Sequence, residues 1–160
     1  MPLWVRRLLQ RRPLKMSSNL DNLYRQVILD HHKNPRNKGT STEDGFHSVH
    51  MRNPSCGDDI TISVKIVDGV IEEVLQEGIG CAISLSSASV MSEILKGKTL
   101  AEAKEITENF YEIVKGEDAN EDIEMDDAVV FTGVANFPAR VRCATLAWKA
   151  YEQALKEIEA

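Results

Sequence analysis

The chain has 160 residues, 42% apolar and 28% charged, the balance of one soluble domain large enough to bury a core without metal or disulfide help. Its net charge of −6 is uneven: residues 1–16 carry five basic groups (Arg6, Arg7, Arg11, Arg12, Lys15) and no acid, leaving 14 basic against 25 acidic groups elsewhere. The acidic body disfavours binding to nucleic acid, and no apolar run approaches the roughly 18 residues that span a membrane.

Residues 1–17 read as a basic N-terminal tail, interrupted at Pro13, with an Arg-rich transit peptide as the competing reading; residues 18–160 read as a single domain. A helix is expected from near Ser18, with Asp21 as capping partner and Asn34-Pro35 as its stop. Leu20, Leu23, Val27 and either Ile28 or His31 share one face. His31 and His32 lie at its end, where the negative pole of the helix favours them. Adjacent residues point about 100° apart on a helix, which makes the two histidines a poor shared metal site.

A polar loop at 36–45 leads into a weakly alternating strand, Phe46 to Arg52. The strongest strand signal follows, with Ile60, Ile62, Val64 and Ile66 alternating against Thr61, Ser63, Lys65 and Val67. Asp68-Gly69 is a two-residue hairpin turn, and Val70 to Glu77 returns as the partner strand, its two faces blurred by Ile71 and Leu75. A helix rich in small residues then runs from Cys81 to about Lys96, closed by Gly97. Thr99 and Glu102 form a capping box for the next, whose face is Leu100, Ala103, Ile106, Phe110 and Ile113. Seven acids in residues 117–127 mark a solvated connector, and a short helix is expected over Asp126 to Thr132. In the last helix, opening at Pro138, Ala144, Trp148, Tyr151, Leu155 and Ile158 step by 4, 3, 4 and 3. The expected fold is α+β: a three-stranded antiparallel sheet packed against a layer of four to five helices.

Three cysteines are odd in number and too few for a disulfide framework, which favours a reducing cytoplasm and thiols that are unbridged or metal-bound. Lone cysteines are most often small buried hydrophobes, but each of these sits at an element boundary. Cys56 lies in the turn Asn53-Pro54-Ser55-Cys56-Gly57-Asp58, where packing is a poor reason for a thiol. Cys81 follows Gly80 at a helix start, where unpaired amides favour thiolate, and Cys143 lies near Arg140 and Arg142. Asp58 adds a carboxylate. Cys56 begins one strand and Cys81 follows its hairpin partner, so the hairpin itself brings those two turns to one end. Only Cys143 needs tertiary packing to reach them. Such a set suits zinc or iron.

At these residues the chain resembles the IscU/SufU family of iron–sulfur cluster assembly proteins. The matching segments are Asn53 to Asp58, Gly80 to Ser84 with the serine-rich run beyond it, and Phe137 to Trp148. Within the family it resembles the SufU type. Arg142 stands where the scaffold type has a histidine, and 62 residues separate Cys81 from Cys143, a longer interval than in the scaffold type.

The resemblance implies a SufU/IscU-like fold with a zinc ion held by Cys56, Asp58, Cys81 and Cys143. It further implies that Cys56 accepts persulfide sulfur from a SufS-type cysteine desulfurase, displaced from zinc by a histidine of that enzyme, for delivery to SufBCD-type assembly machinery. Arg140 is the candidate for orienting the partner or stabilising the Cys56 thiolate. The alternatives are a scaffold carrying a nascent [2Fe–2S] cluster, or iron, on the same ligands, and a small interaction domain with purely structural zinc.

Overall fold

A computed structural model of the chain describes residues 17–55 and 57–159, with the helix α1 (Ser17–Lys33), the strands β1 (Phe46–Asn53), β2 (Asp58–Val67) and β3 (Val70–Ile79), then α2 (Ala82–Leu95), α3 (Leu100–Lys115), a 3-10 helix (Asp126–Val134) and α4 (Pro138–Glu159). The segment 1–16, the Leu20 side chain and Cys56 lie outside the described residues. The fold is the expected α+β arrangement, with one antiparallel sheet in the order β1-β2-β3 and the helices layered against it. α1 already includes Ser17 and Ser18, so Ser18 lies inside the helix rather than capping it.

The alternation in β2 reads directly as burial: Ile60, Ile62 and Val64 are fully inaccessible. The blurred faces of β3 have a specific cause. Lys65 pairs with Glu73, but Ile66 pairs with Ile71, so Glu72 is an extra residue in a bulge. The bulge moves the side-chain phase by one residue and lets both Ile71 and Val74 face the helices. The loop after α1 bridges the free edge of β3, where Gly39 N–H donates to the Gln76 carbonyl at 2.9 Å, and then reaches the face opposite the helices, where Ser41 N–H donates to Ser63 Oγ at 3.2 Å.

The Thr99–Glu102 capping box forms, and Gly116 closes α3 in the left-handed region at φ 75°. Trp148 and Tyr151 are core residues; the Trp148 ring stacks on Phe110 at 4.2 Å, and Phe131 meets Phe110 edge-on at 5.8 Å. The α4 stripe is buried through Tyr151, with Leu155 half-buried, and surfaces at Ile158.

The placement of α4 depends on one serine. Ser87 Oγ, fully buried on α2, donates to the Ala144 carbonyl at 2.6 Å and accepts from Trp148 Nε1 at 3.1 Å. Both partners lie on α4, so these bonds set how far that helix slides along α2. Any other position strands buried polar groups, at about 1–3 kcal/mol each.

Two expectations are corrected. His31, explained in the sequence by the negative pole of its helix, is instead held by buried side-chain partners: it is wholly buried, with Nδ1 2.8 Å from Ser89 Oγ and Nε2 2.7 Å from Asp127 Oδ2. Asp127, the last acid of the expected solvated connector, is correspondingly buried. His32, one residue on, is exposed, as the angular step on a helix requires.

Candidate metal centre

Asp58 opens β2 opposite Asn53, the last residue of β1, so the chain reverses between them through the turn that carries Cys56. Gly57 has φ 70°, a left-handed conformation that glycine adopts without strain. At the other side of β2, Asp59 pairs with Ile79, which places the end of β3 and the start of α2 beside the same turn. The hairpin therefore brings the two turns together, as its pairing demands.

Cys81 caps α2. Its backbone is extended, at φ −76° and ψ 168°, and its sulfur accepts from Ser84 N–H at 3.4 Å. A thiol thus occupies the position usually given to serine or aspartate, where helix amides lack partners. Cys143 arrives from the second turn of α4, brought there by the Ser87 bonds one residue away at Ala144. It is 2% exposed.

One ligand atom each from Asp58, Cys81 and Cys143 lies within 4.8 Å of the others. Asp58 is 2% exposed, and its partners are neutral donors: Cys81 N–H at 3.0 Å and Ser84 Oγ at 3.0 Å on Oδ1, with Asn53 Nδ2 at 3.5 Å from Oδ2. Asn53 Nδ2 also stands 3.8 Å from Cys143 Sγ. Among the described residues no basic side chain forms an ion pair with Asp58. A buried carboxylate beside two sulfurs, with no cationic partner among the described residues, is costly unless a cation joins it. The donor chemistry fits a borderline metal such as zinc, at Zn–S distances of about 2.3 Å. Cys56 stands two residues before Asp58, so its Cα can be no more than about 7 Å from that of Asp58 along the chain.

Arg140 is exposed one turn before Cys143, its guanidinium 5.0 Å above the Phe137 ring. Phe137 is itself 50% exposed, and Ile79, two residues before Cys81, is 70% exposed. Sequence reasoning missed Asn53 and Ser84. Both lie inside the motifs around the cysteines, and their position facing Asp58 follows only from strand register and the helix start.

The NifU-like N-terminal domain model matches residues 23–145. The zinc-dependent sulfurtransferase SufU of Bacillus subtilis is 42% identical over 146 residues, spanning 91% of this chain and 98% of that protein. The iron–sulfur cluster assembly scaffold protein IscU of Streptococcus pyogenes is 40% identical, over 87% and 86%. Among solved structures, a candidate cluster assembly scaffold of the SUF system from Fervidobacterium islandicum superposes with a TM-score of 0.75 at 36% identity, over 81% of this chain and 93% of that one. A NifU-like N-terminal domain from Brucella abortus superposes at 0.77 with 26% identity, over 88% and 96%. With its three-stranded sheet, its helical layer and two cysteines closing on one buried aspartate, the chain belongs to the IscU/SufU family of iron–sulfur cluster assembly proteins.

Proposed function

We propose that this protein is a zinc-dependent sulfurtransferase of iron–sulfur cluster assembly, with Cys56 as the sulfur acceptor and Cys56, Asp58, Cys81 and Cys143 as the zinc ligands. The observation that carries the reading is the convergence of Asp58, Cys81 and Cys143 within 4.8 Å, with Cys56 two residues from Asp58. Similarity to the zinc-dependent SufU of Bacillus subtilis supports it. When bound, zinc holds the thiols as thiolates at neutral pH and shields them from oxidation.

The residues divide the work. Cys81 and Cys143 are built into helix starts and Asp58 into a strand end, all held by hydrogen bonds. Cys56 belongs to the connecting turn, which changes conformation at less cost than a packed helix. Its thiolate attacks the outer sulfur of a persulfide carried by a cysteine desulfurase of the SufS type. The bond between that sulfur and the donor cysteine breaks, its electron pair leaves with the donor as thiolate, and Cys56 becomes the persulfide. A second exchange of the same kind hands the sulfur to SufBCD-type assembly machinery. Arg140, with Phe137 and Ile79, forms the face on which the donor docks, and the cytoplasm is where this relay operates. Among the described residues no helix is long and apolar enough to cross a membrane.

The test is sulfide release by a matching desulfurase with and without this protein. Wild type stimulates it and Cys56→Ala does not; equal stimulation by C56A overturns the assignment.

A second reading is a scaffold for a [2Fe–2S] cluster, favoured by 40% identity to the streptococcal IscU scaffold. Arg142, where the scaffold type has histidine, removes one nitrogen donor. About one colourless zinc per chain in aerobically purified protein supports the sulfurtransferase, whereas brown protein absorbing in the visible supports the scaffold.

A further inference from the structure

We infer that Ser84 is a positioning residue that holds Asp58 as a monodentate metal ligand; the inference rests on the metal centre proposed above. Oδ1 of Asp58 already accepts two hydrogen bonds, from Cys81 N–H and Ser84 Oγ, both at 3.0 Å. These use the lone pairs a chelating carboxylate needs, and leave Oδ2 for the metal. Ser84 is fully buried, so water does not replace its hydroxyl.

The Ser84 proton has a competing acceptor, the Cys81 carbonyl at 3.1 Å. The carboxylate is the stronger acceptor because it is charged, and buried charge needs the bond more. Gly80 supports the same assignment from the other side. A Cβ there would stand 2.5 Å from both Asp58 Oδ1 and Ser84 Oγ, so the only side chain that fits between these atoms is none. Its φ is not in the left-handed region, and space rather than backbone freedom is the reason for glycine.

Two consequences follow. Asp58 and Cys81 act as one preformed unit, since the Cys81 amide binds the same oxygen as the Ser84 hydroxyl. The carboxylate also cannot swing to two-toothed binding when a neighbouring ligand departs, so the site stays at low coordination for an incoming donor. Metal sites that lose such an outer hydrogen bond commonly lose ten- to a hundredfold in affinity.

The experiment compares wild type, Ser84→Ala and Ser84→Thr, stripped of metal and titrated with zinc against a competing chelator, and with cobalt(II) as a spectroscopic probe. Unfolding of the metal-free proteins is followed in parallel. Wild type gives intense cobalt bands of four-coordinate, sulfur-ligated geometry. S84A is expected to bind zinc about tenfold or more weakly, with cobalt bands lowered in intensity as Oδ1 becomes a fifth donor. S84T keeps the hydroxyl and restores both. Wild-type affinity and spectrum in S84A overturn the inference, even if metal-free S84A is less stable, because that marks a purely structural hydroxyl. Failure of S84T to restore the spectrum in a protein that folds as wild type overturns it also. If wild type itself takes up neither zinc nor cobalt, the metal centre is wrong and this inference falls with it.

Discussion

His31 Nε2 lies 2.7 Å from Asp127 Oδ2 although 96 residues separate them in the chain, and the other ring nitrogen reaches Ser89 Oγ at 2.8 Å. The imidazole thereby joins α1, α2 and the 3-10 helix through one buried group. Ser89 Oγ also accepts the backbone N–H of Arg36, so the loop leaving α1 is fastened at the same point. The arrangement has the members of a catalytic triad but not its exposure: His31 is fully buried. It is a clamp.

Removing the clamp therefore lowers stability without touching the thiols. His31→Ala removes one hydrogen-bond partner from a buried carboxylate and one from the Ser89 hydroxyl, and leaves a cavity between three helices; the expected cost is about 3 kcal/mol. Urea unfolding checks it, as a fall in midpoint at nearly constant slope. Zinc affinity of the folded variant stays at the wild-type value; a tenfold loss there would show that the clamp also shapes the metal centre.

The Ser87–Trp148 contact separates packing from hydrogen bonding. Trp148→Phe keeps most of the stack on Phe110 but removes the Nε1 donor to Ser87. About 1–2 kcal/mol is expected from the lost bond and the smaller ring, against about 3–5 kcal/mol for Trp148→Ala. Because the same Ser87 hydroxyl holds the Ala144 carbonyl, W148F leaves Cys143 in place and zinc binding intact. Thermal unfolding and zinc titration of the two variants test both halves.

Much of this molecule was legible in the sequence, and its misreadings share one cause. Ile60, Ile62 and Val64 announced their own burial because strand alternation is local. The faces of β3 did not, because the bulge at Glu72 is a property of pairing with Lys65 and Ile66 rather than of β3 alone. His31 looked like a helix-end charge because its partner comes from the far side of the domain. Ser84 looked like a residue chosen for smallness, one of several along α2; only Asp58 opposite makes it a hydrogen-bond donor. The cysteine–aspartate cluster was legible from the chemistry of the element boundaries and from the family resemblance rather than from spacing, and the arrival of Cys143 required the α2–α4 contact that Ser87 makes.

Alkaline pH offers a test of the interior. Burial first, and then the hydrogen bond from its hydroxyl to Glu152 Oε1, push the Tyr111 phenol well above its ordinary pKa. A pKa raised by folding favours the neutral form in the native state. The contribution to stability is therefore complete below the unfolded value of about 10, and declines as pH rises past it and the unfolded chain ionises. Tyr111→Phe should flatten the decline in unfolding midpoint between about pH 9.5 and 11 relative to wild type. An unchanged slope would place the alkaline sensitivity elsewhere.

Removal of the metal should leave the fold standing. The core around Phe110, Phe131 and Trp148 lies in the helical layer and needs no ligand to close. Chelated protein is expected to keep its far-ultraviolet circular dichroism and unfold cooperatively. Its stability should fall by about 3–4 kcal/mol relative to protein at zinc concentrations a hundred to a thousand times the dissociation constant. Loss of secondary structure on chelation would instead make the zinc a structural staple.

Gly80→Ala concentrates the geometry of the centre into a single methyl group. The added carbon must stand 2.5 Å from Asp58 Oδ1 and from Ser84 Oγ, well inside contact distance, and neither neighbour can retreat freely. Asp58 is pinned through Cys81 N–H, and Ser84 is fully buried on α2. The carboxylate must rotate or the start of α2 must shift, and either displaces a ligand atom. Zinc affinity is expected to fall by at least tenfold, while the metal-free protein loses no more than about 1–3 kcal/mol, the range for overpacking one methyl group. Chelator competition and urea unfolding measure the two quantities separately. Equal zinc affinity in G80A and wild type would mean that the turn has slack, and that the tight contacts around Asp58 do not govern how the metal is held.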